Sequence, residues 1–174
     1  INDVLKKNIY IIEQNLSHTF KEIVLVLENF DSTFINFSGY KKLNASQILR
    51  ENISYILNTL KSCVNETEPQ KTILHIFNSK FYLDNKKVEN LPIGLFGDFY
   101  SHELSFILIN SNDEKNLKNV FHKCNLKLKK ILIKSFLKGA NISDNFKNKE
   151  TFFHIKIYDE NSKIFYFENN SLKF

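Results

Sequence analysis

Apolar and polar positions along the chain alternate with two different periods, and the changes of period mark out its elements. Ile1, Val4, Leu5, Ile9, Ile12 and Leu16 fall on one stripe at helical spacing, which predicts an amphipathic helix over residues 1–17 lying against a sheet. Residues 21–28 (KEIVLVLE) are a β-branched and leucine run of strand length. After the turn signal Asn29-Phe30-Asp31, residues 32–38 form a second such run, closed by Gly39. Asn44 with Gln47 three positions on has the form of a capping box. Ile48, Leu49, Ile53, Ile56, Leu57, Leu60 and Val64 follow at i, i+3, i+4 spacing, so a helix is predicted over residues 44–64.

Residues 72–84 read as extended, and 91–97 as a turn-rich connector in which Gly94 and Gly97 can take positive φ. Residues 103–110 form another strand. Ser111 and Glu114 make an S-x-x-E box that opens a helix with Leu117, Val120, Phe121 and Cys124 on one face, and Asn125 stands where a left-handed capping residue belongs. A strand over 126–134 and a short helix over 135–140 complete one unit, residues 1–140. It is expected to be α+β, a small sheet covered by two to three helices. Residues 141–150 read as a polar linker. Residues 151–158, 164–167 and 172–174 are short β-rich runs that form a meander. Three short strands cannot bury both faces alone, so the tail 151–174 should dock on the first unit or on chain outside this one.

Composition changes the picture in three places. With 43% hydrophobic residues, 17 Phe and 7 Tyr, a chain of this length can bury roughly 70% of its unfolded surface. No run approaches the ~20 apolar residues of a membrane span, so a soluble protein is expected. The opening on Ile1 rather than Met suggests an excised piece. The net charge of +5 invites a nucleic-acid partner, but Arg50 is the only arginine among 24 basic residues, and base and phosphate readout favour the guanidinium fork. Scarce Gly, Pro and Ala beside abundant Asn, Lys, Ile and Phe read as the product of a genome poor in G and C, so no nucleic-acid partner is expected. Cys63 and Cys124 lie far apart without metal-ligand spacing, on helix faces predicted to be apolar, and are expected to be buried, inert thiols in a reducing cytoplasm.

Candidate chemistry is sparse. His75, His102, His122 and His154 are scattered without paired metal spacing, and His75 reads as a strand histidine making a local hydrogen bond. Asp84 reads as a turn former rather than a general base. No G-x-S-x-G, Walker A or H-E-x-x-H pattern occurs. No catalytic, metal or cofactor residue is expected, and no partner-binding residue can be singled out.

Four stretches in succession carry a resemblance. Residues 73–84 (ILHIFNSKFYLD) follow an I-L-H-hydrophobic segment ending in Asp, and 92–97 (PIGLFG) a P-I-G-M-x-G turn. Asn116-Leu117 through Asn125-Leu126 follows N-L-x-x-x-x-x-x-x-G-L with Asn125 for the glycine. Residues 131–140 (ILIKSFLKGA) follow I-V-L-E-P-L-A-S-G with Lys134 and Ser135 for Glu and Pro. Together they resemble the inserted 1C subdomain of the bacterial actin-like cell-division protein FtsA. Residues 151–174 resemble the opening hairpin of that family's second actin-like lobe, subdomain 2A.

The resemblance implies a protein–protein interaction subdomain of a division scaffold that anchors the FtsZ ring at the membrane. It would contact other FtsA protomers and receive downstream division proteins, with FtsZ and the bilayer bound only through regions outside this chain. The location implied is the cytoplasmic side of the membrane, peripherally, in the full-length protein. The family's D-I-G-G-G-T-T-D phosphate turn would align with residues 156–163, where Tyr158, Asp159 and Glu160 replace glycines and Lys156 replaces the metal-side aspartate. An ATP site in this chain is therefore expected to be incomplete, and the chain is not expected to be an enzyme. Alternatives from the same resemblance are a PilM-like, peptide-binding adaptor of pilus assembly and part of a divergent actin-like ATPase.

Overall fold

The computed structural model describes residues 2–28, 30–145, 151–168 and 171–173. In chain order it holds α1 (Asn2–Leu16), β1 (Glu22–Leu27), β2 (Thr33–Gln47), α2 (Arg50–Thr67), β3 (Lys71–Leu83), β4 (Lys86–Val88) and β5 (Phe96–Asn110). There follow α3 (Ser111–His122), β6 (Lys127–Ile133), α4 (Lys134–Asn145), β7 (Thr151–Ile157), β8 (Ser162–Glu168) and β9 (Ser171–Leu172). The fold is α+β. A four-stranded sheet of order β2-β5-β3-β4 is antiparallel throughout, β1 and β6 pair in parallel, and β7-β8-β9 form an antiparallel meander.

The central strand explains the layering. Residues 104–109 of β5 (LSFILI) are all buried, and their alternation sends side chains to two cores. Leu104, Phe106 and Leu108 meet Ile56, Leu60 and Val64 of α2, with Ile35 and Phe37 of β2 beside them. On the opposite face Ile107 meets Ile133 of β6, Phe167 of β8 and Leu172 of β9, with Phe34, Phe77 and Phe136 packed around them. The meander therefore docks on the first unit. A buried amine fastens it: Lys173 Nζ donates to the carbonyls of Asn78 and Ser79 at 2.9 and 2.8 Å. Those carbonyls lie at the bulge between Asn78 and Lys80, where β3 loses register with β5.

Several boundaries differ from the sequence expectation, each for a local reason. Gly39 does not close a strand. β2 runs through it to Gln47, and the missing side chain admits α2, since a Cβ there would lie 2.8 Å from Ile56 Cγ2. Asn44 and Gln47 make no capping box. Asn44 and Ala45 take φ of 54° and 58° in a bulge of β2, and Asp98 Oδ1 accepts from Ala45 N. Helix α2 starts later, where Asn52 Oδ1 accepts from Leu49 N. Ser111 and Glu114 do not form a box either. Asn110 caps α3 by accepting from Asn112 N, while Ser111 Oγ bonds Thr72 Oγ1 and Glu114 pairs with Lys118.

Asn125 does take the left-handed conformation, φ 57°, with its own N–H and that of Leu126 closing on the last turn of α3. Asp84 forms the turn as read: with Asn85 it links β3 to β4 at positive φ, and its Oδ1 accepts from the amides of Asp98 and Phe99. Of the connector glycines, Gly94 has positive φ, 91°, whereas Gly97 lies within β5. Residues 141–145, expected in a linker, continue α4 as a helix, and 146–150 lie outside the described residues. The stripe of α1 is not covered as expected. Val4, Ile12 and Leu16 are exposed and Leu5 and Ile9 only half-buried. Among the described residues no helix is long and apolar enough to cross a membrane.

Candidate functional site

The histidines end up apart, each in an environment that suppresses its charge or leaves it at the surface. His75 on β3 is buried against Phe77 and Phe136, with ring centroids 5.8 and 5.6 Å away. Its Nε2 has no partner, contrary to the local hydrogen bond expected, and burial lowers its pKa. His102 on β5 bonds Asn78 Oδ1 through Nε2 at 3.1 Å, and burial pushes its pKa down to about 4. His122 is on the exposed face of α3, and the pKa of His154 on β7 is lowered by burial and then by Lys156 and Lys138. Among the described residues no group of three His, Cys, Asp or Glu side chains is placed to hold a metal. Cys63 and Cys124 are half-buried rather than buried, Cys63 on α2 beside the buried Val64 and Cys124 in the turn that follows α3.

The stretch compared with a phosphate turn is the β7–β8 hairpin. Residues 158–161 close it, with Tyr158 N donating to Asn161 O at 2.8 Å. That amide is spent inside the turn. Asp159 and Glu160 project as exposed carboxylates, and Lys156 stands opposite Lys163 across the ladder, its pKa lowered chiefly by burial. An anion placed at the turn would meet the carboxylates of Asp159 and Glu160.

Two other surfaces are better formed. The first is the far end of the four-stranded sheet. Strand β2 is an edge, with β5 on one side and nothing on the other among the described residues. Beside it Tyr40 is 75% exposed, Phe96 69% and Phe99 46%, close to the exposed Ile93 and Leu95 of the connector. The connector is held rigidly to β2: Ile48 N donates to Leu95 O, Gly94 N to Ile48 O, and Gln47 Nε2 to Gly94 O. Large aromatic side chains at a sheet edge that is otherwise well tied down are what a docking surface requires.

The second is a groove of about 970 Å³ between α3 and the start of β6. Lys115, Lys118, Asn119 and His122 recur at i, i+3, i+4 and i+7 on α3, while Leu117, Val120, Phe121 and Cys124 face inward. Leu126 and Leu128 form its floor, and Lys21 and Lys127 its far wall. The signal for it was present in the sequence and was hidden by the global lysine bias. Residues 111–140 hold eight lysines against Asp113 and Glu114, whereas the remaining 144 residues hold 16 basic and 17 acidic side chains. The whole positive excess lies in this one segment, which uniform compositional drift does not produce. No protein-family model matches the chain, and no curated protein matches it.

Proposed function

We propose that the chain is the partner-docking subdomain of an FtsA-type division scaffold, followed by the first hairpin of the second actin-like lobe. The observation that carries this reading is the colinear order of four segments, residues 73–84, 92–97, 116–126 and 131–140. In the fold they are β3, the connector, α3 with its Asn125 turn, and β6 running into α4. Support from the geometry comes from the exposed edge of β2 with Tyr40, Phe96 and Phe99. Such an edge offers unpaired backbone groups to a neighbouring strand, and the aromatics supply apolar area that is buried only when a partner lies across them.

On this reading the working mechanism is binding. A neighbouring protomer or a downstream division protein docks on the sheet edge, and the parent links the FtsZ ring to the cytoplasmic face of the membrane through regions outside this chain. The chain takes no cofactor, because the β7–β8 turn places Tyr158, Asp159 and Glu160 where close-approach glycines would be needed. The test is the location of the full-length parent, fused to a fluorescent protein, in dividing cells of its own organism. A band at the division site is expected, and diffuse or polar fluorescence throughout division would overturn the assignment.

A further inference from the structure

We propose that the groove between α3 and β6 is a binding site for an acidic peptide segment that also carries apolar side chains. The proposal rests on the docking reading for its biological setting, but the argument for it is the groove's own chemistry. Its floor is apolar, formed by Leu126 and Leu128, and its walls carry Lys21, Lys115, Lys118, Lys127 and His122. Two of these lysines already have carboxylates. Lys118 pairs with Glu114 at 2.6 Å within α3, and Lys127 with Glu22 at 3.6 Å, a carboxylate shared with Lys129 at 3.0 Å. Lys21 and Lys115 belong to no ion pair among the described residues.

The groove thus holds two uncompensated ammonium groups on opposite walls above an apolar floor. Charge complementarity selects an occupant with carboxylates along its flanks, and the floor selects one with aliphatic side chains between them. The fold keeps the walls fixed. The Asn125 turn ties the end of α3 to β6, and Lys127 N donates to Lys21 O at 2.9 Å, so the two walls do not separate. A bulge between Ile23 and Val24 offsets the β1–β6 register at this point and leaves Lys129 unpaired in the ladder, where it reaches Glu22.

A nucleic acid fits the same charge less well. No Phe or Tyr lines the groove for base stacking, and the one arginine, Arg50, is on α2. A peptide needs neither.

The experiment uses the whole chain and fluorescence anisotropy. The probe is a short labelled peptide of Glu-Glu-Leu repeats, compared with poly-glutamate of the same length, oligothymidylate of equal charge, and phosphatidylglycerol vesicles. The Glu-Glu-Leu peptide is expected to bind more tightly than the other three. Its affinity should fall at least about tenfold in the double variant Lys21→Glu with Lys115→Glu, since a like charge on each wall opposes the ligand. It should also weaken as salt approaches physiological strength, where screening acts over about 8 Å. Lys86→Glu, an exposed charge reversal on β4, should leave binding unchanged, and circular dichroism should show all variants folded. Three results would overturn the proposal: no binding of the peptide, binding unaffected by the double variant, or tighter binding of oligothymidylate or vesicles. Such a failure leaves the localisation test of the parent untouched, and a parent absent from the division site leaves the peptide result standing, so the two ideas fail separately.

Discussion

His102 shows how the fold uses a polar side chain in a place that tolerates it only when neutral. It is 2% exposed, its Nδ1 has no partner, and Phe81 lies 4.8 Å from it, centroid to centroid. Burial is the cause of its lowered pKa of about 4. The unfolded chain, with histidine near 6.5, binds a proton that the folded chain refuses, so the fold keeps its full stability above about pH 6.5 and loses it as pH falls toward 4. The loss from this residue alone amounts to about 3 kcal/mol once pH reaches 4. His75, lowered by burial and then by Lys130, adds to it in the same direction. Urea unfolding followed between pH 7.5 and 5, above most carboxylate titration, should show the midpoint dropping, and His102→Gln should flatten that slope. A midpoint constant over this range in the unmodified chain would contradict the account. Little of this was legible beforehand. The residues 103–110 read as a strand, but only the packing of two layers on β5 shows that 104–109 are all buried, and that His102 just ahead of them is buried too.

At the scale of elements, the contact between α4 and the meander depends on a single absent side chain. A Cβ on Gly139 would lie 2.0 Å from Phe167 Cζ and 2.2 Å from its Cε1. Phe167 is itself fully buried and stacked on Phe152 at 4.9 Å, so the ring has no room to withdraw. Gly139→Ala should therefore destabilise the protein by about 1–3 kcal/mol, the usual range for forcing extra volume into a packed core, although alanine is the better helix former. Thermal unfolding measures it directly, and an unchanged or raised melting temperature would mean that the meander is not seated on α4 as described. Docking of the tail could be read from the sequence because three short strands have too little surface to stand alone. The partner surface could not, since Ile107, Phe77 and Phe136 come together only through the register of β3 with β5. The apolar period of α2 was plain, whereas its start was not. Asn44 and Gln47 satisfy the capping pattern yet belong to a bulge, and the same short polar side chains serve caps, turns and bulges alike.

For the whole molecule, two features bear on the proposed binding role. The polar groups with shifted pKa are dispersed among cores rather than gathered in one cleft, and Tyr40 on β2 with Phe96 and Phe99 on β5 form one of several exposed apolar surfaces. The β7–β8 hairpin belongs at this scale too, since the proposed reading aligns it with a phosphate turn. With Asp159 and Glu160 exposed at its tip and the Tyr158 amide bonded to Asn161 O, calorimetric titration of this chain with Mg-ATP should give no heat of binding. Micromolar affinity would show that the turn can present its amides after all. The asymmetry of charge was present in the sequence from the start. It went unseen because one arginine and many lysines read as a compositional habit, and only the fold places Lys21 across from Lys115. The most direct test of the docking account is photocrosslinking in living cells, with a photoreactive phenylalanine analogue at Tyr40 or Phe99 of the full-length parent. The account predicts adducts with a second copy of the parent or with division proteins, and none from a probe at the buried Phe106. Absence of any protein adduct at both surface positions would contradict it.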